Sequence, residues 1–562
     1  MKIYTMLKNK QKRRKLFSII GILIVAVFVV GFTKSDDFKI AKSLDIYYSL
    51  FRELNIFYVD KTDPENLIKK SIDAMLESLD PYTTYIPESD LDEFEFMTTG
   101  QYGGIGALIR KQDDYAIIAQ PYKDFPADKA GLKAGDIILE IDGKATKDMS
   151  ITNVSEALKG IPKTEVHIKG EHPGKKKKFE KKLIREEIHI SSVPYYGMVK
   201  NNIAYIKLSK FTQNASKEVE DALRELKAKN TVNSVILDLR NNPGGLLIEA
   251  VKLANIFVDK GNDIVSTKGK IDKWDRNYKT MKLAVDNKIP MVVLVNSGSA
   301  SASEIVAGAL QDLDRAVILG KRTYGKGLVQ TTRDLSYNTK LKVTTAKYYI
   351  PSGRCIQALD YTNRNEDGSV GHIPDSLISE FSTRNGRKVF DGGGINPDLI
   401  VKSETISNLG ISLYFKNLFF DYATQYVNKN PEIAAVDSFE LSEDDYNDFI
   451  EYLRDKDFDY ETRSEKKLDD LIKIAKQEKY YDKAKNTLDS LKAELSHNKF
   501  DDLKTFKDEI IQILEEEIVG RYYYTAGVIK TTLERDKQFS KAVEILHNEN
   551  MYNEILMPDT LK

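Results

Sequence analysis

The chain has 562 residues, enough for three or four domains, and its 41% hydrophobic and 30% charged residues are typical of soluble domains with real cores. The formal net charge is −1, so the strongly basic surface of a nucleic-acid-binding protein is not expected. A single cysteine, Cys355, excludes an intrachain disulfide and a cysteine-cluster zinc site. With no histidine near it in sequence, it is better interpreted as a packed thiol than as a nucleophile. The six histidines show no H-x-x-x-H spacing, so we expect no metal and no cofactor.

The N-terminus predicts a membrane anchor. A basic cluster, Lys8–Lys15, precedes 17 uncharged residues, Leu16–Phe32, which is at the short end of what spans a bilayer. Positive charge before the span places the body on the extracytoplasmic (periplasmic) side of the cell membrane. A cleaved signal peptide is the alternative, but no small-x-small cleavage site follows the span. A lipoprotein is excluded because no cysteine follows the span. We therefore predict a stub and uncleaved anchor over residues 1–37.

Two further segments are predicted before the centre of the chain. Apolar residues recur at helical spacing from Phe38 to Leu79, and Asp80-Pro81 ends that run, giving an N-terminal helical segment over 38–95. Residues 96–187 form a turn-rich unit with one predicted helix, Ile151–Leu158, and a run of four lysines, Lys175–Lys178, at a solvated hairpin tip. The predicted strands of this unit are Ile105–Arg110, Tyr115–Gln120, Asp136–Ile141, Glu165–Lys169 and Phe179–Ile184.

Strands and helices alternate over residues 188–402, which predicts an α/β core with short crossovers. The predicted elements are Val232–Leu239, Leu246–Val258, Met291–Val295, Ala302–Gln311 and Ala316–Leu319. Residues 403–562 are predicted to be helical and highly charged, with amphipathic runs around Leu488 and Ile510. Such a region could dimerise or pack on the core, and a structural role is favoured over a second catalytic one.

A turn of small residues, Asn296–Glu304, joins a predicted strand to a predicted helix. Such a turn can present a hydroxyl at the helix N-terminus, where unpaired backbone N–H groups stabilise developing negative charge. The segment therefore offers a nucleophile and half of an oxyanion hole. An ordinary serine-rich capping loop is the alternative interpretation.

A glycine loop, Gly320–Gln330, follows the next predicted strand and places a glycine on each side of Lys326. A lysine acts as a general base at neutral pH only where burial favours its uncharged form. The alternatives are a surface lysine in a turn and a phosphate-binding loop, but the spacing does not fit a P-loop.

A third turn, Leu237–Leu246, also follows a predicted strand, and its two glycines, Gly244 and Gly245, could present a backbone N–H without a side chain in the way. Three strand ends with small-residue turns fit one site at one edge of a sheet, where ligands bind in open α/β folds.

Together these motifs resemble those of the carboxy-terminal processing proteases, also called tail-specific proteases. The resemblance rests on Asp238–Gly245, on Ser299–Glu304, on Tyr324–Gly327 with Gln330, and on Tyr348–Arg354, with weaker support from Gly392–Asp398. It extends from about Phe38 to Val401. Tyr324 stands where phenylalanine is usual, a mild departure.

The resemblance implies a role for each matching residue. The family's nucleophile lies 25 residues before its lysine, which selects Ser301 from among the serines of the turn, with Lys326 as general base. Gln330 would orient the lysine, Glu304 matches a position of auxiliary importance, and the oxyanion hole would use the N–H groups of Ala302 and of Gly244 or Gly245.

The resemblance also implies a multidomain α/β fold. Its parts would be a crotonase-like α/β protease core, an inserted PDZ domain, an N-terminal helical segment and a C-terminal helical region. Tyr102–Gly106 resembles the PDZ loop that holds a peptide's terminal carboxylate, here Gly103, Gly104, Ile105 and Gly106. Ala127–Leu139 and Ile141–Gly143 resemble the remainder of the PDZ pattern.

The sequence therefore predicts a membrane-anchored serine endopeptidase that recognises protein C-termini, apolar ones preferred, and cuts upstream. We expect a homodimer, an activating partner, and no nucleic acid. A catalytically silent PDZ scaffold or chaperone at the membrane is the first alternative, and the intact Ser301, Lys326 and Gln330 disfavour it. An acyl-CoA enzyme on the related core is the second, disfavoured by the anchor and the PDZ unit.

Overall fold

A computed structural model describes residues 37–557, apart from 175–176, 201, 366, 403–404 and 496–497. The predicted membrane span, Leu16–Phe32, lies outside the described residues. Of the helices in the described part of the chain, none combines the length and the apolar character that crossing a membrane requires. The chain divides into two compact units, the first ending at Tyr85 and the second beginning at Ile86.

The first unit contains two helices, α1 (37–57) and α2 (Pro64–Glu77), followed by the short strand β1 (Thr84–Ile86). The helical run predicted over Phe38–Leu79 is thus interrupted at 58–63. The break has a local cause, because Asp63 caps α2 by accepting a hydrogen bond from the Asn66 N–H and Pro64 begins the new helix.

The second unit begins with helix α3 (Leu91–Thr99), which runs across the predicted boundary at residue 95, and with the PDZ-like domain. The elements of this domain are β2 (Gln101–Gly104), β3 (Ala107–Gln112), β4 (Tyr115–Pro121), α4 (Pro126–Lys129), β5 (Ile137–Ile141), β6 (Lys144–Ala145), α5 (Ile151–Leu158), β7 (Glu165–His172), β8 (Lys177–Ile184) and β9 (Glu186–His189). Strands β3, β4, β5, β7 and β8 are neighbours in one antiparallel sheet. Strand β3 lies at its edge, and apolar residues of α5 complete the core.

The α/β core follows. Its elements are β10 (Tyr195–Val199), β11 (Ile203–Lys207), α6 (Ala215–Lys229), β12 (Ser234–Asp238), α7 (Leu247–Phe257), β13 (Asp263–Gly269), β14 (Arg276–Lys279), β15 (Met291–Val295), α8 (Ala302–Asp312), β16 (Val317–Gly320), β17 (Leu328–Asp334), β18 (Lys340–Tyr349), β19 (Leu359–Arg364), β20 (Val370–His372), β21 (Glu380–Ser382), β22 (Lys388–Phe390) and β23 (Leu399–Ile400). One sheet has the order β10-β11-β12-β15-β16-β23, parallel except for β10. Strands β13, β14, β17 and β18 form a second, antiparallel ribbon.

Both faces of the parallel sheet are covered, and every residue of its central strands β12 and β15 is buried. Helices α6, α7 and α8 pack on one face. The other face packs against residues from the far C-terminus, among them Leu533, Phe539 and Ile545. The C-terminal helical region therefore contributes directly to the α/β core.

That region is helical as predicted. Its helices are α9 (Asn408–Phe415), α10 (Leu418–Lys429), α11 (Glu443–Leu453), α12 (Arg463–Gln477), α13 (Tyr481–Leu495), α14 (Lys499–Thr505), α15 (Lys507–Leu533), α16 (Lys537–His547) and α17 (Glu549–Leu556). An aromatic-rich cluster built on Phe419, Phe449 and Leu514 forms its own core. Helix α15 is kinked at Tyr524, whose backbone is not helical (φ 56°, ψ −163°).

Candidate active site

The three predicted turns meet at one edge of the parallel sheet. Strands β12, β15 and β16 are hydrogen-bonded neighbours running in the same direction, so their carboxyl ends lie side by side. The turns that follow them carry Gly244, Ser301 and Lys326. This is where a site forms in an open α/β sheet, and the sequence prediction of a single site at the sheet edge agrees with it.

The serines of the turn after β15 have different environments. The Ser299 and Ser303 hydroxyls are buried and donate to the carbonyl oxygens of Leu239 (2.8 Å) and Asn242 (2.9 Å). Ser297 is exposed. Ser301 is half-buried at the N-terminus of α8. Of these four, Ser301 has the position that suits a nucleophile.

The backbone at Ser301 is strained, and a glycine makes room for it. Ser301 has φ 54° and ψ −112°, a conformation that non-glycine residues rarely adopt and that is often found at functional sites. A Cβ atom on Gly244 would lie 2.8 Å from Ser301 Cβ and 2.8 Å from the Ala302 nitrogen. Only glycine therefore permits the turn after β12 to approach the serine this closely.

The two glycines that could contribute to the oxyanion hole differ in whether their backbone N–H is already hydrogen-bonded. The Gly244 N–H donates to Asn242 Oδ1 at 2.9 Å. The N–H groups of Ala302 and Gly245, by contrast, form no hydrogen bond within the described residues. Ala302 is the first residue of α8, so its N–H also lies at the positive end of the helix dipole. Of the two glycines, Gly245 therefore retains the available donor.

Glu304 joins the serine turn to the lysine turn. Its buried carboxylate accepts hydrogen bonds from the N–H groups of Ser301 (2.8 Å), Lys326 (2.9 Å) and Gly325 (2.7 Å), and from the Thr323 hydroxyl (2.6 Å). Burial raises the pKa of Glu304, and the four donors oppose that rise. One side chain thus fixes the separation between the backbones of Ser301 and Lys326.

The lysine loop is held at both ends. Lys326 is half-buried, and the next residue, Gly327, donates its N–H to Gln357 Oε1 at 2.7 Å. Gln330 lies in β17, and its amide donates to the Thr344 hydroxyl of β18 at 3.1 Å. The predicted role of Gln330, to orient Lys326, stays a prediction, and Thr344 is a neighbour that the sequence did not identify.

A buried charge cluster lies beneath the turn after β12, and sequence reasoning missed it. Asp238 pairs with Lys207 (3.1 Å) and Arg240 (2.6 Å) and accepts a hydrogen bond from the Tyr205 hydroxyl (2.7 Å). Burial alone would raise the pKa of Asp238, but the two cations hold it well below its ordinary value. Arg240 also pairs with Asp536, the N-cap of α16, at 2.5 Å.

Of the four residues predicted to form the PDZ loop, Gly103 and Gly104 are the last residues of β2, and Ile105 and Gly106 connect β2 to β3. The carbonyls of Ile105 and Gly106 accept from Ala127 and Tyr122, and a Cβ on Gly103 would lie 2.1 Å from the Gly160 oxygen. The Ile105 N–H makes no hydrogen bond within the described residues. Beside this loop, β3 pairs with β4 alone among the strands of its sheet, leaving an edge to which a peptide could add as a strand.

Three family models match the sequence, one for each of these domains. In chain order, a PDZ domain matches residues 117–169, peptidase family S41 matches residues 202–363, and "Probable PDZ-protease, C-terminal helical domain" matches residues 409–546. The fold and the matches define a serine-type peptidase with a PDZ domain.

Two relatives show to which group of serine-type peptidases the chain belongs. A carboxy-terminal-processing protease of Bartonella bacilliformis is 34% identical over 62% of this chain and 81% of its own length. A probable CtpA-like serine protease of Staphylococcus aureus is 33% identical over 82% of this chain and 89% of its own. A solved photosystem II D1 C-terminal processing protease is 29% identical over 63% of this chain and 92% of its own, with a TM-score of 0.33. The chain belongs to the carboxy-terminal-processing proteases of peptidase family S41.

Proposed function

We propose that this protein is an endopeptidase in which Ser301 attacks the scissile carbonyl and Lys326 is the general base. The observation that carries the proposal is the Glu304 bridge, because it connects the backbones of a strained, accessible serine and a glycine-flanked lysine. In its uncharged form, the Lys326 amine would take the Ser301 proton on attack and deliver it to the leaving amine. The Ala302 and Gly245 N–H groups would stabilise the tetrahedral oxyanion.

Gln330 would act as a positioning residue in this mechanism. Its amide is fixed by Thr344, so it presents a constant polar surface on the strand that follows the lysine loop. Glu304 would be the second positioning residue, since it contacts backbone N–H groups and not the reacting atoms.

We further propose that the PDZ loop, Gly103–Gly106, binds the free C-terminus of the substrate. The open edge of β3 would accept the peptide as an added strand, with main-chain hydrogen bonds supplying affinity. An apolar terminal side chain is expected, because the core beneath the loop contains Ile105, Val154 and Leu158.

The test is cleavage of an unfolded protein with an apolar C-terminus, in free and amidated forms. Ser301→Ala should abolish cleavage, while Ser297→Ala, in the same turn but exposed, should cut normally. Lys326→Met should also be inactive, with Lys321→Met as its control, and the wild-type rate should rise with pH as the base form is populated. Amidation should slow cleavage about tenfold or more by removing the carboxylate. Equal rates for Ser301→Ala and wild type would refute the assignment, and equal rates for the two substrate forms would refute tail recognition.

We also propose the extracytoplasmic, membrane-anchored location and the homodimer on sequence grounds. The basic cluster and apolar run before Thr33 support the anchor. Recovery of the full-length chain in the aqueous fraction after membrane separation would contradict it, and a monomeric mass by light scattering would contradict the dimer.

A further inference from the structure

Lys342 lies on the same face of the β17–β18 ribbon as Gln330. Thr332 faces Lys342 across the ribbon, and Gln330 faces Thr344. Residues that face each other, and residues two apart along a strand, project from the same side of a sheet. The 3.1 Å hydrogen bond from Gln330 to Thr344 confirms this face. Lys342 is therefore one strand repeat beyond Thr344, about 7 Å further along the ribbon.

Lys210 borders the oxyanion turn. The next residue, Phe211, donates its N–H to the Gly244 carbonyl (2.9 Å) and accepts from the Leu246 N–H (2.8 Å). The Phe211 carbonyl lies so close to Gly245 that a Cβ there would be 2.2 Å from the oxygen. Lys210 therefore directly precedes the residue that contacts the turn carrying the proposed oxyanion donor Gly245.

The two lysines are close enough for their charges to repel each other, and no acid among the described residues offsets the repulsion. Burial lowers the pKa of both ammonium groups, and Lys342 lowers the pKa of Lys210 further. Within the described residues, neither side chain forms a salt bridge or a hydrogen bond. Other half-buried lysines of the core behave differently, since Lys207 pairs with Asp238 and Lys227 with Asp286.

We propose that Lys210 and Lys342 form an anion-binding subsite of the substrate cleft, and that it binds a carboxylate of the substrate polypeptide. This inference rests on the proposed catalysis at Ser301, because the two lysines flank the elements that carry the oxyanion donors and Gln330. A substrate carboxylate would relieve the repulsion and supply the missing counter-charge. Its source is either an Asp or Glu side chain near the scissile bond or a free C-terminal carboxylate.

The test uses amidated peptides in which a single glutamate replaces glutamine at successive positions around the scissile bond. Wild type should prefer glutamate about tenfold in kcat/KM at one position, and the preference should fall to near one in Lys210→Met/Lys342→Met. Lys342→Glu should reverse it, favouring a lysine-containing peptide. Lys347→Met, which removes an exposed lysine from the same strand, should keep the wild-type preference.

A second arm compares free and amidated C-termini of an otherwise neutral peptide. The PDZ loop contributes equally to the free-to-amidated rate ratio in wild type and in the double variant. A free-to-amidated ratio that is lower in the double variant than in wild type would therefore show that the subsite binds the C-terminal carboxylate. If glutamate preference and free-to-amidated ratio are both the same in wild type and double variant, the subsite does not exist.

Binding measured in the Ser301→Ala background separates this inference from the proposed catalysis. Fluorescence anisotropy with the same glutamate and glutamine peptides needs no turnover. A glutamate preference in Kd that the double lysine variant removes would support the subsite even if Ser301 proved not to be the nucleophile. The same Kd for both peptides in both backgrounds would overturn the subsite.

Discussion

The protease site and the contact between the PDZ domain and the C-terminal helices differ in how completely their buried charged groups are hydrogen-bonded. At the site, Glu304 receives four hydrogen bonds, and Asp238 is shared between two cations and a tyrosine hydroxyl. At the interdomain contact, Arg110 and Arg521 both lie over the Phe420 ring, at 3.5 and 4.0 Å. Their Nε atoms are buried without a hydrogen-bond partner in the described residues.

The geometry of the two regions differs as well. A cleft of about 910 Å³ lies between the outer face of β3 and β4 and helices α10 and α15, lined by residues such as Leu108, Arg110 and Arg521. Burial, together with the neighbouring Arg110 cation, lowers the pKa of Arg521 to about 10.

The contact between the PDZ domain and the C-terminal helices is the place where the molecule can rearrange at a low cost in free energy. Each unpaired buried donor costs about 1–3 kcal/mol, so a rearrangement that hydrates the arginines recovers part of that loss. Breaking the site network would instead expose unpaired charges and disturb Ser301. We infer that the catalytic turns at the sheet edge are rigid and that the contact between the PDZ domain and the C-terminal helices can rearrange.

The largest effect is expected from Glu304→Gln. The amide keeps the size of the side chain but turns one oxygen into a donor, so two of the four incoming donors lose their acceptor. The turns should separate slightly, and kcat should fall about a hundredfold with little change in KM, because a small misplacement of reacting groups costs that much. Steady-state kinetics on the unfolded substrate would measure kcat and KM separately.

The control for this variant is Glu249→Gln. Glu249 is also buried, in α7, and accepts from the Ser216 N–H and hydroxyl, away from the catalytic turns. It should lower stability and leave kcat within about twofold. A similar loss of kcat in both variants would mean that Glu304 acts only through general stability.

The sequence was most informative where one local signal dominated. The apolar strand Met291–Val295 and the helix Ile151–Leu158 have the bounds that were predicted, since turn residues flank both. The catalytic turns were locatable because small residues follow apolar strands. Ser301 itself, however, was selected by family resemblance, and only the structure shows that the hydroxyls of Ser299 and Ser303 are already engaged.

Long-range partners could not be predicted. Arg240 and Asp536 are 296 positions apart, and nothing in either local pattern links them. The same holds for Phe539 and Ile545, whose apolar helical spacing does not specify which sheet face they cover. Burial of a charge or a face is a property of the tertiary fold, which periodicity alone does not encode.

A loss of stability, without a specific effect on kcat, is expected from Arg240→Met. The substitution leaves Asp238 with Lys207 alone and Asp536 without its partner. Removing one member of a buried charge network costs about 3–5 kcal/mol, so the melting midpoint of the protease core should fall by about 10 °C. Differential scanning calorimetry would measure it. Arg224→Met, which removes an exposed pair with Glu220, should shift the midpoint by less than about 2 °C, and equal shifts would contradict a special role for the buried network.

The smallest effect should come from Tyr524→Phe, at the interdomain contact. Tyr524 marks the kink of α15, and its hydroxyl donates to Asp128 Oδ1 of the PDZ domain at 2.6 Å. Losing this bond should cost about 1 kcal/mol and speed amide exchange about fivefold around the kink and Asp128, without affecting the core. Hydrogen exchange followed by mass spectrometry resolves these segments. Tyr523→Phe is the matched control, because its hydroxyl bonds Ala434 within the helical region. Faster exchange in the sheet of the protease core, as well as in the PDZ domain, would show that the two regions open together and that the contact is not independently adaptable.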